Sequence, residues 1–314
     1  MGSILQNLAL RLDAGFNAKH IDRFRNGWPA SSRSDISFFE TDRVLFRYRE
    51  IAGPSGAPTL VFTADPPVTL EHYDAMIELA SKDFRLVIFE LPGQGFSPGK
   101  SAYRFGFRET NDEVARFLRQ VAGEGAIYAF SCVAGLAAVD IATRYPELVC
   151  ALILIQAADP GGLDVWKKSR DPKGILRKPI LGQYMMRKLA GDRMPKWFEL
   201  ALGRASDHER FCSCSRTSMG HGALWSLASA FQAYHNADIE LAQPAQPCLA
   251  IWGELDGSHT PETRASTTNM APGMEVRSLP AAGHFPELQD PAIVFRTIKD
   301  WLATQRIGEN EKAS

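Results

Sequence analysis

Six short runs, TLVFT from Thr59, RLVIFE from Arg85, AIYAF from Ala126, CALILI from Cys150, CLAIW from Cys248 and EVRSLP from Glu275, recur between segments with helical spacing. Strands that are apolar along their whole length need cover on both faces, and helices supply it when they alternate with the strands of a parallel sheet. Ahead of them ISFFET and VLFRYRE read as a hairpin. The class is α/β, with a mostly parallel, doubly wound sheet. The last helix is marked by Asp290-Pro291, an N-cap followed by an N1 proline, after which Val294, Ile298, Trp301 and Leu302 form one apolar stripe.

The rhythm breaks between Pro160 and Pro244, where the pattern is helical and no strand is evident. The organisation expected is an N-terminal arm over 1–34, a core over 35–159 and 245–304, a helical cap inserted at 160–244, and a polar tail over 305–314. Charge is spread unevenly over these parts. The chain carries 35 Lys+Arg and 36 Asp+Glu, but 13 basic and 6 acidic residues fall between Gly161 and Arg216, a surplus of +7 that leaves about −8 elsewhere. A solvated helical face explains such a surplus, and so does attraction for an anionic substrate.

Several classes of function fall away. A net charge of −1 gives no bulk pull toward nucleic acid or anionic lipid, and the basic segment lacks interleaved aromatics beyond Trp166 and Trp197. No apolar run is long enough for a membrane span, and no secretory leader is evident, so neither nucleic acid nor membrane is an expected partner and the cytoplasm is the expected location. Five cysteines without a CxxC pair argue against a disulfide framework. Cys212 and Cys214 have no nearby histidine pair, so no metal is expected, and no cofactor. Gly93-Gln94-Gly95 is not a dinucleotide loop, because helix breakers follow where GxGxxG would open a helix. Oligomeric state has no signature.

The chemistry converges where the AIYAF strand runs into Ser131-Cys132-Val133-Ala134-Gly135 and directly into a helical pattern. A strand that turns sharply into a helix presents one side chain at its crest. Together with FELPGQGFSPG, IWGELDGSHTP and LPAAGHFPEL, this elbow resembles the α/β-hydrolase superfamily over roughly Ile36 to Leu302. The resemblance implies the α/β-hydrolase fold and a nucleophile–acid–base triad in that chain order. The family pattern is GxSxG, and two registers fit. Ser131 as nucleophile puts bulky Val133 at a position that needs a small residue; Cys132 puts Ala134 and Gly135 there but leaves Phe130 at the other small site. Counting back from RYPE also lands on Cys132, which is preferred, with Ser131 the alternative.

The resemblance assigns His284 as base and Asp256 as the acid that orients it, with Asp159 an alternative acid; His221 and His235 in the cap are read as packing or surface residues. The oxyanion hole would use the backbone N–H groups of Val133 and Asp65. Asp65 stands in Thr63-Ala64-Asp65-Pro66, where the family has an HGxP-like turn, so its side chain either points away or handles a substrate amine or hydroxyl. Phe130 and Trp225 are candidate pocket residues. A thiol at a helix N-terminus beside an imidazole can ionise and form a thioester acyl-enzyme. Three functions follow: a hydrolase of an ester, thioester or lactone; an acyltransferase or acyl-condensing enzyme taking a coenzyme A- or carrier-bound acyl group; or a non-catalytic binder on the same scaffold.

Overall fold

A computed structural model describes residues 2–24, 35–236 and 238–307. Its central sheet has eight strands: β1 (Ile36–Glu40), β2 (Leu45–Ile51), β3 (Thr59–Ala64), β4 (Arg85–Glu90), β5 (Ala126–Ser131), β6 (Val149–Ile155), β7 (Cys248–Gly253) and β8 (Glu275–Leu279). They lie in the order β1-β2-β4-β3-β5-β6-β7-β8. The β1–β2 and β2–β4 pairs are antiparallel and all others parallel, with Leu60 opposite Leu86 and Ile127, and Phe130 opposite Leu154. Connections run outward from β3 to β4 and then return past β3 to β5. Such a reversal opens a crevice at the carboxyl ends of β3 and β5, where ligands of open α/β sheets bind.

Alternation along the strands divides the core into two layers. Leu152 and Leu154 of β6 and Tyr128 and Phe130 of β5 pack with Phe117, Leu136 and Val139, from helices α3 (Phe107–Val121) and α4 (Ala134–Arg144). Ile153, Ile155, Ile127 and Ile251 face the other way, toward Met76 of α2 (Asp74–Ala80) and toward Val294, Ile298 and Trp301 of α11 (Pro291–Thr304). All eight runs read as strands in the sequence lie in this sheet.

Between β6 and β7 the chain forms α5 (Pro160–Arg170), α6 (Leu181–Leu202), α7 (Ala205–Gly220) and α8 (Leu227–Gln232), and α9 (Pro261–Ala265) follows β7. The inserted segment is mostly helical, but it holds one short strand that its pattern does not announce. Leu224–Trp225 is a two-residue strand that pairs antiparallel with Gln94–Gly95, and Ser226 N–H donates to the Gly93 carbonyl at 3.0 Å. The GQG turn after β4 therefore anchors the cap. The N-terminal helix α1 (Gly2–Phe24) docks on the same helices: Asp13 accepts from Ser229 Oγ at 2.6 Å and from Arg187 at 2.7 Å, and Arg187 also reaches Asn17 at 2.7 Å. The turn-rich stretch NGWPASSRS and most of the polar tail lie outside the described residues.

Candidate active site

Four loops at the carboxyl edge of the sheet, together with the elbow, bring the candidate residues together. Cys132 sits between β5 and α4 with φ +52°, a left-handed conformation costly for any residue with a Cβ. Its N–H donates to the Ile155 carbonyl at 2.7 Å, tying the elbow to β6. A Cβ on Gly135 would come within 2.4 Å of Ala157 Cβ, so only glycine lets α4 leave the turn this close to the β6 loop.

His284 precedes α10 (Pro286–Gln289) and is fully buried. Its Nδ1 faces Asp256 Oδ2 at 2.6 Å. Asp256 is held in turn by the Ser258 N–H at 2.7 Å and by Gln156 Nε2 at 3.2 Å. Gln156 follows β6 in a left-handed conformation of its own, φ +51°, and also donates to the Gly283 carbonyl at 2.8 Å. The His284 N–H donates to the Ala201 carbonyl at the end of α6, 2.8 Å away. That approach depends on Gly283, where a Cβ would stand 2.2 Å from the same carbonyl oxygen. The Trp197 ring from α6 meets His284 edge-on at 5.5 Å between centroids.

The other face of the imidazole departs from the sequence expectation. The Asp65 side chain does not point away: it turns inward, with Oδ2 3.2 Å from His284 Nε2, and it lines the cavity. The ring is thus gripped by a carboxylate at each nitrogen. Burial opposes charge on His284, but Asp256 and Cys132 outweigh it, so its pKa is raised well above that of free imidazole. Burial raises the Asp65 pKa, partly offset by His284, whereas for Asp256 the attraction of His284 prevails over burial and the pKa falls. Burial and the Asp65 charge push the Cys132 thiol up, against the pull of His284 and the Val133 N–H.

Other candidates lie elsewhere. Ser131 is sealed in the interior with its hydroxyl 3.4 Å from Glu287 Oε1, and its N–H donates to Thr63 Oγ1 at 3.1 Å. Asp159 caps α5, accepting from the Gly162 N–H at 2.7 Å and from Asn269 at 2.8 Å. Phe130, expected at the pocket, is instead in the core: strand alternation turns it to the α3–α4 face, stacked on Tyr128 at 4.9 Å. Trp225 does line the cavity. Of the cap histidines, His235 is buried and lines the cavity, whereas His221 is partly exposed.

Two neighbours went unrecognised in the sequence. Glu287, fully buried beside Ser131, has its pKa raised to about 7 by burial. His259 stacks parallel on His284 at 5.6 Å with neither ring nitrogen hydrogen-bonded, and burial followed by the nearby His284 charge lowers its pKa to about 3. It lies three residues past Asp256 in the same motif, GELDGSH, which was the available signal. Cys132, His259 and His284 offer ligand atoms within 4.8 Å of one another, the one such group among the described residues. Both nitrogens of His284 already face carboxylates, so that ring has no lone pair to spare and the cluster is read as a nucleophile with its imidazoles.

Above the thiol opens a cavity of about 690 Å³. Cys132, Val133 and Asp65 line its base; Trp166, Trp197, Trp225 and Phe231 line its walls. Arg170, Lys173, Arg193 and Lys196 also border it, the last three exposed, which puts the basic residues of the cap at the opening.

A mostly parallel eight-stranded sheet, a strained residue at a strand-to-helix crest and a helical cap over the carboxyl edge define a capped α/β-hydrolase fold. The family model described as "Alpha/beta hydrolase family" matches residues 56–297, and the chain belongs to that family. Similar solved structures include an epoxide hydrolase from Bacillus megaterium, with 18% identity, TM-score 0.65 and coverage of 85% of this chain and 100% of that one. The enol-lactonase of Burkholderia xenovorans LB400 has 18% identity, TM-score 0.60 and coverage of 85% and 100%. Est816, described as an N-acyl homoserine lactone degrading enzyme, has 16% identity, TM-score 0.65 and coverage of 84% and 99%. No curated protein sequence matches the chain. No helix among the described residues is long and apolar enough to cross a membrane.

Proposed function

We propose that the protein is an acyl-transfer enzyme that hydrolyses an ester, thioester or lactone through a thioester on Cys132. The observation that carries this reading is the strained φ of +52° at Cys132, at the base of a cavity of about 690 Å³ and with its sulfur within 4.8 Å of a His284 ring nitrogen. Strain of this kind persists only where the surroundings enforce it, and it clusters at functional sites. Cys132 attacks the acyl carbon, the His284–Asp256 pair stabilises the thiolate, and the N–H groups of Val133 and Asp65 receive the oxyanion. Water then releases the acid.

The basic opening favours a second reading, in which the acyl donor is anionic, such as a coenzyme A or carrier-protein thioester, and an acceptor other than water resolves the intermediate. Incubation with a small activated ester should add one acyl group, located on Cys132 by peptide mass spectrometry and absent from Cys132→Ala. Label on Cys150 or Cys248 would remove the proposed nucleophile, and ligand binding without turnover would leave a binder. Product analysis with and without amine, alcohol or thiol acceptors separates hydrolysis from transfer.

A further inference from the structure

Asp65 and Cys132 both stand beside the His284 imidazole, the Cys132 sulfur within 4.8 Å of a ring nitrogen. Asp65 Oδ2 lies 3.2 Å from His284 Nε2, while Nδ1 is committed to Asp256 at 2.6 Å. A ring that donates on both sides is an imidazolium with no lone pair, so it cannot itself keep a proton taken from the thiol. The site then holds one cation facing Asp256, Asp65 and Cys132, all buried. Three anions around one cation in a desolvated space are unfavourable, so Asp65 and Cys132 share a proton. Other groups near Asp65 reinforce this: Glu287 on α10 and Tyr73 bring no positive charge. His259 is no substitute as base, because it is stacked against His284 and is not among the residues that line the cavity, whereas Asp65 and Cys132 both are.

We propose that the Asp65 carboxylate is a catalytic acid–base, taking the proton of the Cys132 thiol through His284 Nε2 and passing it to the leaving group. The inference rests on the Cys132 acyl-enzyme reading. In the first step the Nε2 proton passes to Asp65 Oδ2, and the lone pair this frees on Nε2 then takes the thiol proton as the S–H bond breaks. The thiolate attacks the acyl carbon, the C–S bond forms, and the leaving atom departs with the Asp65 proton. Water or another acceptor then attacks the thioester and gives its proton to Asp65 as the C–S bond breaks and the electron pair returns to sulfur. During attack Asp65 is uncharged, which removes the conflict of a carboxylate standing beside a developing oxyanion.

Asp65→Asn tests this with two readouts that move in opposite directions. Alkylation of Cys132 by iodoacetamide, followed across pH by peptide mass spectrometry, should be several-fold faster near neutrality, because removing the competing carboxylate lowers the thiol pKa. Turnover of a small activated ester should fall on the order of a hundredfold, the usual worth of a positioned acid–base. Asp65→Glu should regain part of that turnover. If Asp65→Asn does not fold by circular dichroism, Asp65→Ser against Asp65→Glu carries the same comparison. An unchanged or slower alkylation profile, or retained turnover, overturns the proposal. Alkylation needs no acyl substrate, so failure of the Cys132 acyl-enzyme itself shows separately, as absence of acyl label in the unmutated protein.

Discussion

Glu287 lies fully buried beside Ser131, and its carboxyl has a consequence for stability. Its pKa is raised to about 7 in the folded protein against an ordinary value of 4.5, so between those pH values the folded state holds more protons than the unfolded state and stability falls as pH rises. Glu287→Gln keeps a carbonyl oxygen for Ser131 and removes that penalty. Relative to the unmutated protein it should gain up to roughly 3 kcal/mol between pH 4.5 and pH 8, measured by urea unfolding at both. Around His284 the side chains differ in how far they can be read from the chain. Cys132, Asp256 and His284 stand in the motifs that carry the family resemblance, each after a recognisable strand, and the sheet delivers such loops to one edge. The side-chain positions of Asp65, Gln156 and His259 depend on where a side chain turns after its strand ends, which no periodicity records. Phe130 shows the same limit: its position beside the elbow is legible, but strand alternation points it into the core.

At the scale of elements, the eight strands are legible because segments of five to seven residues, most of them apolar runs and the first two a hairpin, are long enough to carry a pattern. Leu224–Trp225 was not, since two residues have no period, and its pairing with Gln94–Gly95 follows only from the folded cap. The junction of α6 with the His284 loop makes a sharper prediction. In Gly283→Ala the new methyl would fall 2.2 Å from the Ala201 carbonyl oxygen and 2.4 Å from that of Leu202, and backbone cannot swing aside as a side chain can. Loss of about 2–3 kcal/mol in urea unfolding is expected, of the size that overpacking produces. The His284 N–H would lose its acceptor, so Cys132 acylation should slow in parallel.

For the molecule as a whole, the uneven charge noted in the sequence has a place: Lys173, Arg193 and Lys196 stand exposed at the opening of an apolar-walled cavity. Solvent-exposed charges act through a screened field, so their effect on an anionic acyl donor should weaken as salt rises. Raising ionic strength from about 0.01 to 0.5 M should increase KM for a coenzyme A thioester several-fold while leaving KM for a neutral ester unchanged. Arg193→Glu with Lys196→Glu should reproduce the high-salt KM at low salt, and a flat response in both experiments would return the basic face to simple solvation. The cap has a further consequence for anyone who would exchange it. Because its Ala201 carbonyl is the acceptor for the His284 backbone, a chimera that grafts a foreign lid onto this core, or this lid onto another, must reproduce that one oxygen before its choice of substrate can be compared with the parent's.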